Sequence, residues 1–269
     1  MSVTSPFNYE VIGNAAVITL NNPKKLNALT LPQYDMLARL IARANDEKNT
    51  TITLIQSTGR AFSAGGDAKF VGEQDTKFET WLRLSFIMQH HLTQTILEHK
   101  KILAVAMNGF AIGLSAAIVT LCDLVYVHDV SKTFLSTPFP NIGVLSEGGL
   151  AATLPIRLGW SKAAEALLLS KRISGEELMK LGLINKAYDG KYSSTEDFNK
   201  AVLGELLTAA EGLHSDSIFQ IKNLLKANFR QIVSYTNSRE SYDGLANWTS
   251  GVPKERFRKL ASGELKHKM

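Results

Sequence analysis

The run Ile102 to Met107, ILAVAM, carries no polar side chain, and it constrains the fold of this chain more than any other stretch. A strand that is apolar on both faces has to be covered on both, which points to a mainly parallel sheet flanked by helices. The text that follows, NGFAIGLSAAIVTLC, fits such a layout. Gly109 and Gly113 bracket a turn, and Leu114 to Cys122 restart as an alanine-rich helix. The amides near Leu114 then stand at a helix N-terminus, where no intrahelical acceptor is available to them.

The neighbouring segments repeat the alternation of strand and helix. Ala15 to Leu20, AAVITL, reads as a β-branched strand that stops at the turn cluster Asn21, Asn22 and Pro23. Thr30 is placed to cap a helix with Pro32 in its first turn, and Leu37, Leu40, Ile41 and Ala44 lie down one face. A second strand, Thr51 to Gln56, runs into STGRAFSAGGDAKF, where Gly65 and Gly66 permit a tight turn with amides left to face a ligand. Lys77 to Glu98, with Trp81, Phe86 and Ile96, predicts one amphipathic helix over the sheet. Leu124 to Val127 is another strand. Ser174 with Glu177 is a capping box, Gly182 is a stop, and Ile184 to Tyr188 is short and extended. Glu196 to Ala210 and Ser215 to Phe229 read as helices, the second with Ile218, Ile221, Leu225 and Phe229 on one face. Gln231 to Met269 adds a further helix or two. The layout is an α/β body over residues 1–190 and a helical region over 191–269, whose apolar faces dock on the body or on a neighbouring subunit.

Composition excludes several classes. With 269 residues and 45% of them apolar, the chain can fill a sizeable core. Neither end carries an apolar run of about 18 residues or the pattern of a secretory signal, so a soluble, non-exported protein is expected. A single cysteine, Cys122, forbids an internal disulfide and reads as a reduced core thiol. The net charge of +5 is diffuse except near the end, in KERFRKL and ELKHKM, and no aromatic residues interleave with it as in a nucleic-acid module.

Chemistry concentrates in Asn141 to Leu150, NIGVLSEGGL, where Glu147 is the one charged residue. Apolar and glycine neighbours desolvate a carboxylate and raise its pKa toward neutrality, as a proton-transfer base requires. A helix cap at the first turn is the alternative. Together with amides around Gly66 and Leu114, Glu147 would make an enolate site: two N–H donors to hold a carbonyl oxygen and one base for the adjacent carbon. Three purely structural turns remain the competing reading. Ser115 after Gly113 and Leu114 resembles a nucleophile position, but GLSAA is not a nucleophile elbow and no His is spaced as its partner. His90 and His91 are adjacent, so on a helix they diverge rather than chelate. The NGFAIG turn lacks the glycine spacing and the later acid of a dinucleotide fingerprint.

These residues carry a resemblance across nearly the whole chain. Leu26-Asn27-Ala28-Leu29, AFSAGGDAKF, NGFAIGLSAAIVTLCDLVY and NIGVLSEGGLAATLPIRLG resemble, in order and separation, the crotonase or enoyl-CoA hydratase/isomerase superfamily. Within it, IGLSAA and SEGG resemble the fungal peroxisomal Δ3,Δ2-enoyl-CoA isomerases. The resemblance implies an α/β spiral of repeated β-β-α units and a helical C-terminal region that builds trimers, often paired into hexamers. It implies an acyl-CoA substrate, no metal and no cofactor. The oxyanion-hole amides carry over onto Gly66 and Leu114. The segment Ala64, Gly65, Gly66, Asp67 and Ala68 would line the thioester and pantetheine, and Lys69 or the group Arg256, Phe257 and Lys259 would meet the phosphates or adenine.

Departures from the hydratase pattern sharpen the expectation. The positions of the two hydratase glutamates correspond to Ala117 and Phe139, so the groups that handle added water are missing. Dienoyl-CoA isomerases pair an acid at the Glu147 position with one at the Phe139 position. A lone base implies Δ3,Δ2-enoyl-CoA isomerisation in fatty-acid β-oxidation, with dienoyl-CoA isomerase, another acyl-CoA enzyme of the family, or a non-enzymatic acyl-CoA-binding module as alternatives. No nucleic-acid or membrane partner is expected. The terminal His267-Lys268-Met269 resembles a variant of the serine-lysine-leucine address, which implies a peroxisomal import receptor as partner and the peroxisomal matrix as location.

Overall fold

The computed structural model describes residues 5–266. Strands β1 (Phe7–Ile12) and β2 (Ala15–Leu20) form an antiparallel hairpin, and β3 (Ile52–Ser57), β4 (Ile102–Met107), β6 (Leu124–Val127) and β9 (Lys186–Ala187) extend it in parallel, in the order β1-β2-β3-β4-β6-β9. The short strands β5 (Ala111–Ile112), β7 (Phe134–Ser136) and β8 (Ile173–Ser174) make a second sheet. The turns β4-β5-α5 and β6-β7-α6 each add one strand to each sheet before a helix, the β-β-α unit of the expected spiral.

The apolar strand β4 shows why both faces had to be covered. Leu103, Val105 and Met107 enter the larger core cluster, whereas Ala104 and Ala106 enter the smaller one on the opposite face. The larger cluster lies under α1 (Leu31–Asp46), which starts at Thr30 with a complete capping box to Gln33. Then come α2 (Ala68–Glu73), α3 (Phe78–Trp81), a π-helical segment over Leu82–Gln89, α4 (His90–Glu98) and α5 (Leu114–Leu121). Lys77 to Glu98 is therefore helical as expected, but its middle widens to the i+5 pattern, a feature common at functional sites.

After α6 (Phe139–Ile142) come α7 (Leu150–Leu158), α8 (Trp160–Leu169), α9 (Gly175–Lys180), α10 (Thr195–Ala209), α11 (Ser215–Thr249) and α12 (Val252–Ser262). The Ser174 capping box is present at α9, and Phe198, Val202 and Leu206 of α10 cover the second face of the sheet. Among the described residues no helix is long and apolar enough to cross a membrane.

One sequence expectation is corrected. The helix expected to end at Phe229 continues to Thr249, and the face of its first half is not an inward one: Ile221 is 56% and Leu225 77% exposed. The inward residues are Lys222 and Lys226. Their stems cross apolar surface and their ammonium groups meet Asp123, at 2.7 Å (Oδ2) and 3.0 Å (Oδ1). Lys222 also donates to the Lys101 carbonyl, and Lys226 to that of Leu121. The inward side of this half of the helix is thus the one whose buried charges have partners, and its apolar row faces outward.

Candidate active site

The Leu26 to Leu29 motif and the first glycine turn form one unit. Ala64 N donates to Leu26 O, Leu29 N to Gly65 O and Asp67 N to Leu29 O, each at 2.9 Å. Gly65 has φ +85°, and a Cβ there would lie 2.6 Å from the Ile112 carbonyl oxygen, so no other residue fits. Ser63 Oγ accepts from Gly65 N at 3.2 Å and donates to Asn27 O at 2.8 Å. Asp67 caps α2 and pairs with Lys25 Nζ at 2.8 Å, and Ala68 opens that helix.

The second turn is fixed from the other sheet. Gly113, with φ +59°, donates its N–H to Ser136 O at 2.8 Å and stands at the N-cap of α5. Ser115 Oγ donates to Ser63 Oγ at 2.7 Å and is 2.8 Å from Tyr34 Oη, which ties the two turns together. Ser115 is fully buried and committed to these contacts, which removes it as a nucleophile. Among the described residues no acceptor is found for the amides of Gly66 or Leu114.

Both turns and Glu147 line one narrow pocket, together with Ala64, Tyr34, Phe139, Trp248 and Phe257. Gly65, Asp67 and Ala68 are not among the residues that line it. Trp248 and Phe257 belong to α11 and α12, so the C-terminal helices close over the site of their own chain. Trp248 stacks on Trp81 with ring centroids 4.3 Å apart. A wider groove lined by Phe134, Lys171, Arg172 and Arg256 contains neither Glu147 nor the turn amides. Of the residues expected at phosphate or adenine, Lys69 and Lys259 pair with Glu73 and Glu255, Arg256 donates to Asn141 O, and Phe257 lines the pocket.

Glu147 does not cap a helix. Helix α7 begins at Leu150 with Gly149 as its N-cap, and the carboxylate that caps it comes from Glu240 on α11. Glu147 instead accepts from Gln89 Nε2 at 3.1 Å. Burial pushes its pKa up to about 7, the Gln89 and Trp248 hydrogen bonds oppose the rise, and the charge of Glu240 adds to it. Such a carboxylate is poised to take and return a proton near neutral pH, and it shares its pocket with Gly66 and Leu114 of the two turns. Phe139 lies in the same pocket and offers no second acid. Ala117 is buried against Gly148, where a Cβ on the glycine would sit 2.6 Å from the Ala117 Cβ.

Gln89, Tyr34, Trp248 and Glu240 were not singled out from sequence. The inward stripe Val233, Asn237, Glu240, Gly244, Leu245, Trp248 carries the signal for two of them, since a carboxylate and an indole occupy helical core positions there. His90 and His91 turn to different partners, Asn237 and Asp35. Cys122 is a buried free thiol, pushed up to about 12 by burial.

Known proteins are similar to this chain over nearly its whole length. The chain is 38% identical to a protein of Pyricularia oryzae named Delta(3,5)-Delta(2,4)-dienoyl-CoA isomerase, over 97% of this chain and 98% of that protein. It is 36% identical to a Saccharomyces cerevisiae protein named 3,2-trans-enoyl-CoA isomerase, over 97% of this chain and 96% of that one. The solved structure of Pseudomonas aeruginosa OdaA superposes with a TM-score of 0.83 at 26% identity, covering 96% of this chain and 99% of that chain. The enoyl-CoA hydratase/isomerase family matches residues 10–250, and with this fold and these relatives the chain belongs to that family, the crotonase superfamily.

Proposed function

We propose that this protein is a Δ3,Δ2-enoyl-CoA isomerase that moves the double bond of a 3-enoyl-CoA to the trans-2 position with Glu147 as its single base. Glu147 takes a proton from the α carbon, and the charge that forms on the thioester oxygen is held by the Gly66 and Leu114 amides. The same carboxyl returns the proton to the γ carbon, so the α C–H bond is broken, a γ C–H bond is made, and nothing else is consumed. The observation that carries the reading is the carboxyl of Glu147, raised to about 7, in one pocket with both amides and with Phe139 in place of a second acid. No metal or redox cofactor has a step to perform.

Turnover of 3-hexenoyl-CoA by Glu147→Gln tests it. The expected loss in kcat is about a thousandfold or more; a wild-type rate would overturn the assignment.

A second reading, dienoyl-CoA isomerisation, has the Pyricularia relative in its favour and the apolar Phe139 against it. Turnover of a 3,5-dienoyl-CoA faster than of 3-hexenoyl-CoA would reverse the order. Self-association as a trimer or hexamer is supported by the exposed row Ile221, Leu224 and Leu225 on α11, and light scattering of the purified protein tests it. The peroxisomal matrix is proposed from the terminal tripeptide, which lies outside the described residues. A fluorescent protein ending in His-Lys-Met tests that address.

A further inference from the structure

Glu240 occupies a core position of α11 and is 8% exposed. Among the described residues it forms no ion pair. Its Oε2 accepts from Gly149 N at 2.6 Å, and its Oε1 from Ala151 N at 3.0 Å and Ser146 Oγ at 2.7 Å. Backbone N–H groups can only donate, so these contacts suit an ionised carboxylate. The three partners flank Glu147 on both sides.

Burying a carboxylate without a cation costs several kcal/mol, far more than a local cap requires. A cap from within the loop is ruled out by packing. Gly149 has φ +78°, and a Cβ there would lie 2.5 Å from Val233 Cγ1. The left-handed glycines swing Glu147 into the pocket, and the capping carboxylate has to come from another element.

We propose that Glu240 is a positioning residue for the reaction at Glu147: its carboxylate clamps both flanks of the loop that carries the base and sets a second negative charge beside it. Two carboxylates that share a buried region disfavour joint ionisation, so the neighbour makes Glu147 the stronger base, in the same direction as its burial. The Glu240 carboxyl is itself raised by burial, against the pull of its three donors.

Other charged groups around the pair do not supply this effect. Tyr34 of α1 faces Glu147, and burial keeps its phenol protonated. His90 of α4, bonded to Asn237, is pushed down by burial, which disfavours its charged form. Arg157 of α7 is engaged by the Thr120 and Cys122 carbonyls. Glu79 of α3 and Arg83 of the π segment are exposed. On α12, Lys254 lies near Asp75, Arg258 donates to Gly72 O, and Arg256 and Lys259 are engaged as described above.

The inference rests on Glu147 being the base, and the experiment separates the two claims. Glu147→Gln, Glu240→Gln, Glu240→Asp and Ser146→Ala are compared by kcat and KM against pH on 3-hexenoyl-CoA, with thermal melts alongside. Glu240→Gln is expected to lower kcat by about 10- to 100-fold with KM within about twofold, and to move the acid limb of kcat down by roughly one pH unit. Glu240→Asp keeps the limb in place and recovers part of kcat. An unmoved limb in Glu240→Gln, whatever its melting temperature, overturns the proposal and leaves Glu240 a helix cap. If that variant does not fold, Ser146→Ala decides: lower kcat with the limb unmoved supports the clamp, and unchanged kcat overturns it. Activity retained in Glu147→Gln overturns the base assignment instead.

Discussion

Gln89 Nε2 reaches Glu147 Oε1 at 3.1 Å across 58 residues of sequence, and Gln89 Oε1 accepts from Ser85 Oγ at 3.2 Å one turn earlier. Both residues lie in the π-helical segment. The widened turn therefore supports the donor that holds the ionised form of the base. Because that bond lowers the pKa of Glu147, its removal should raise it further.

Gln89→Leu is predicted to move the acid limb of kcat upward by about one pH unit, the worth of a hydrogen bond to a charged group. Activity at pH 7 should fall several-fold and recover at pH 9, as pH-rate profiles of wild type and variant would show. A uniform loss at every pH would mean that Gln89 serves another purpose.

Glu147 also links activity to stability. Its folded pKa of about 7 lies above the ordinary value of 4.5. The folded state holds the proton through that window while the unfolded state has released it, so the contribution to stability is full below about pH 4.5 and lost as pH rises through 7. Glu147→Gln, which does not titrate, should be more stable than wild type by about 3 kcal/mol at pH 8, with the gap closing toward pH 4.5. Urea unfolding at pH 8 and pH 5 measures it, and an equal gap at both would refute the raised pKa.

Asp123 neutralises two inward lysines, and Lys222 is pushed down to about 8 by burial and by its neighbour Lys226. Asp123→Asn leaves both ammonium groups without a carboxylate and should cost about 3–5 kcal/mol. Replacing all three residues with apolar side chains should recover most of that. Chemical denaturation of the two variants distinguishes a loss of charge balance from a loss of volume.

Phe139 and Ala117 differ in what they tolerate. Phe139→Glu points a carboxyl into an existing pocket and should fold. Ala117→Glu must displace the Gly148 backbone and bury a charge, at about 3 kcal/mol or more, and should take isomerase activity with it. Melting temperatures and 3-hexenoyl-CoA turnover of the two single variants check this. A stable, active Ala117→Glu would show that the loop can yield.

Much of this was readable from local chemistry. Strand β4 announced a two-sided sheet because no residue in ILAVAM can face water without loss. Thr30 and Ser174 announced helix starts because a cap bonds within three residues. Glu147 stood out because a single charge in NIGVLSEGGL has no local partner, and Gly65, Gly66 and Gly113 because turns of this kind need glycine or small residues.

What the sequence by itself determined is therefore the central strands, the capped helices, the two turns, the candidate base and the family pattern that joins them. Only the tertiary structure decided what surrounds the base. Gln89, Trp248 and Glu240 act on Glu147 from helices whose approach depends on packing over long separations, 94 residues between Ser146 and Glu240. Periodicity likewise showed which residues of α11 share a face but not which way that face turns. The packed chain shows it: the lysine side of α11 turns inward, where Asp123 and two backbone carbonyls satisfy the ammonium groups, and the apolar row turns outward, where self-association is proposed.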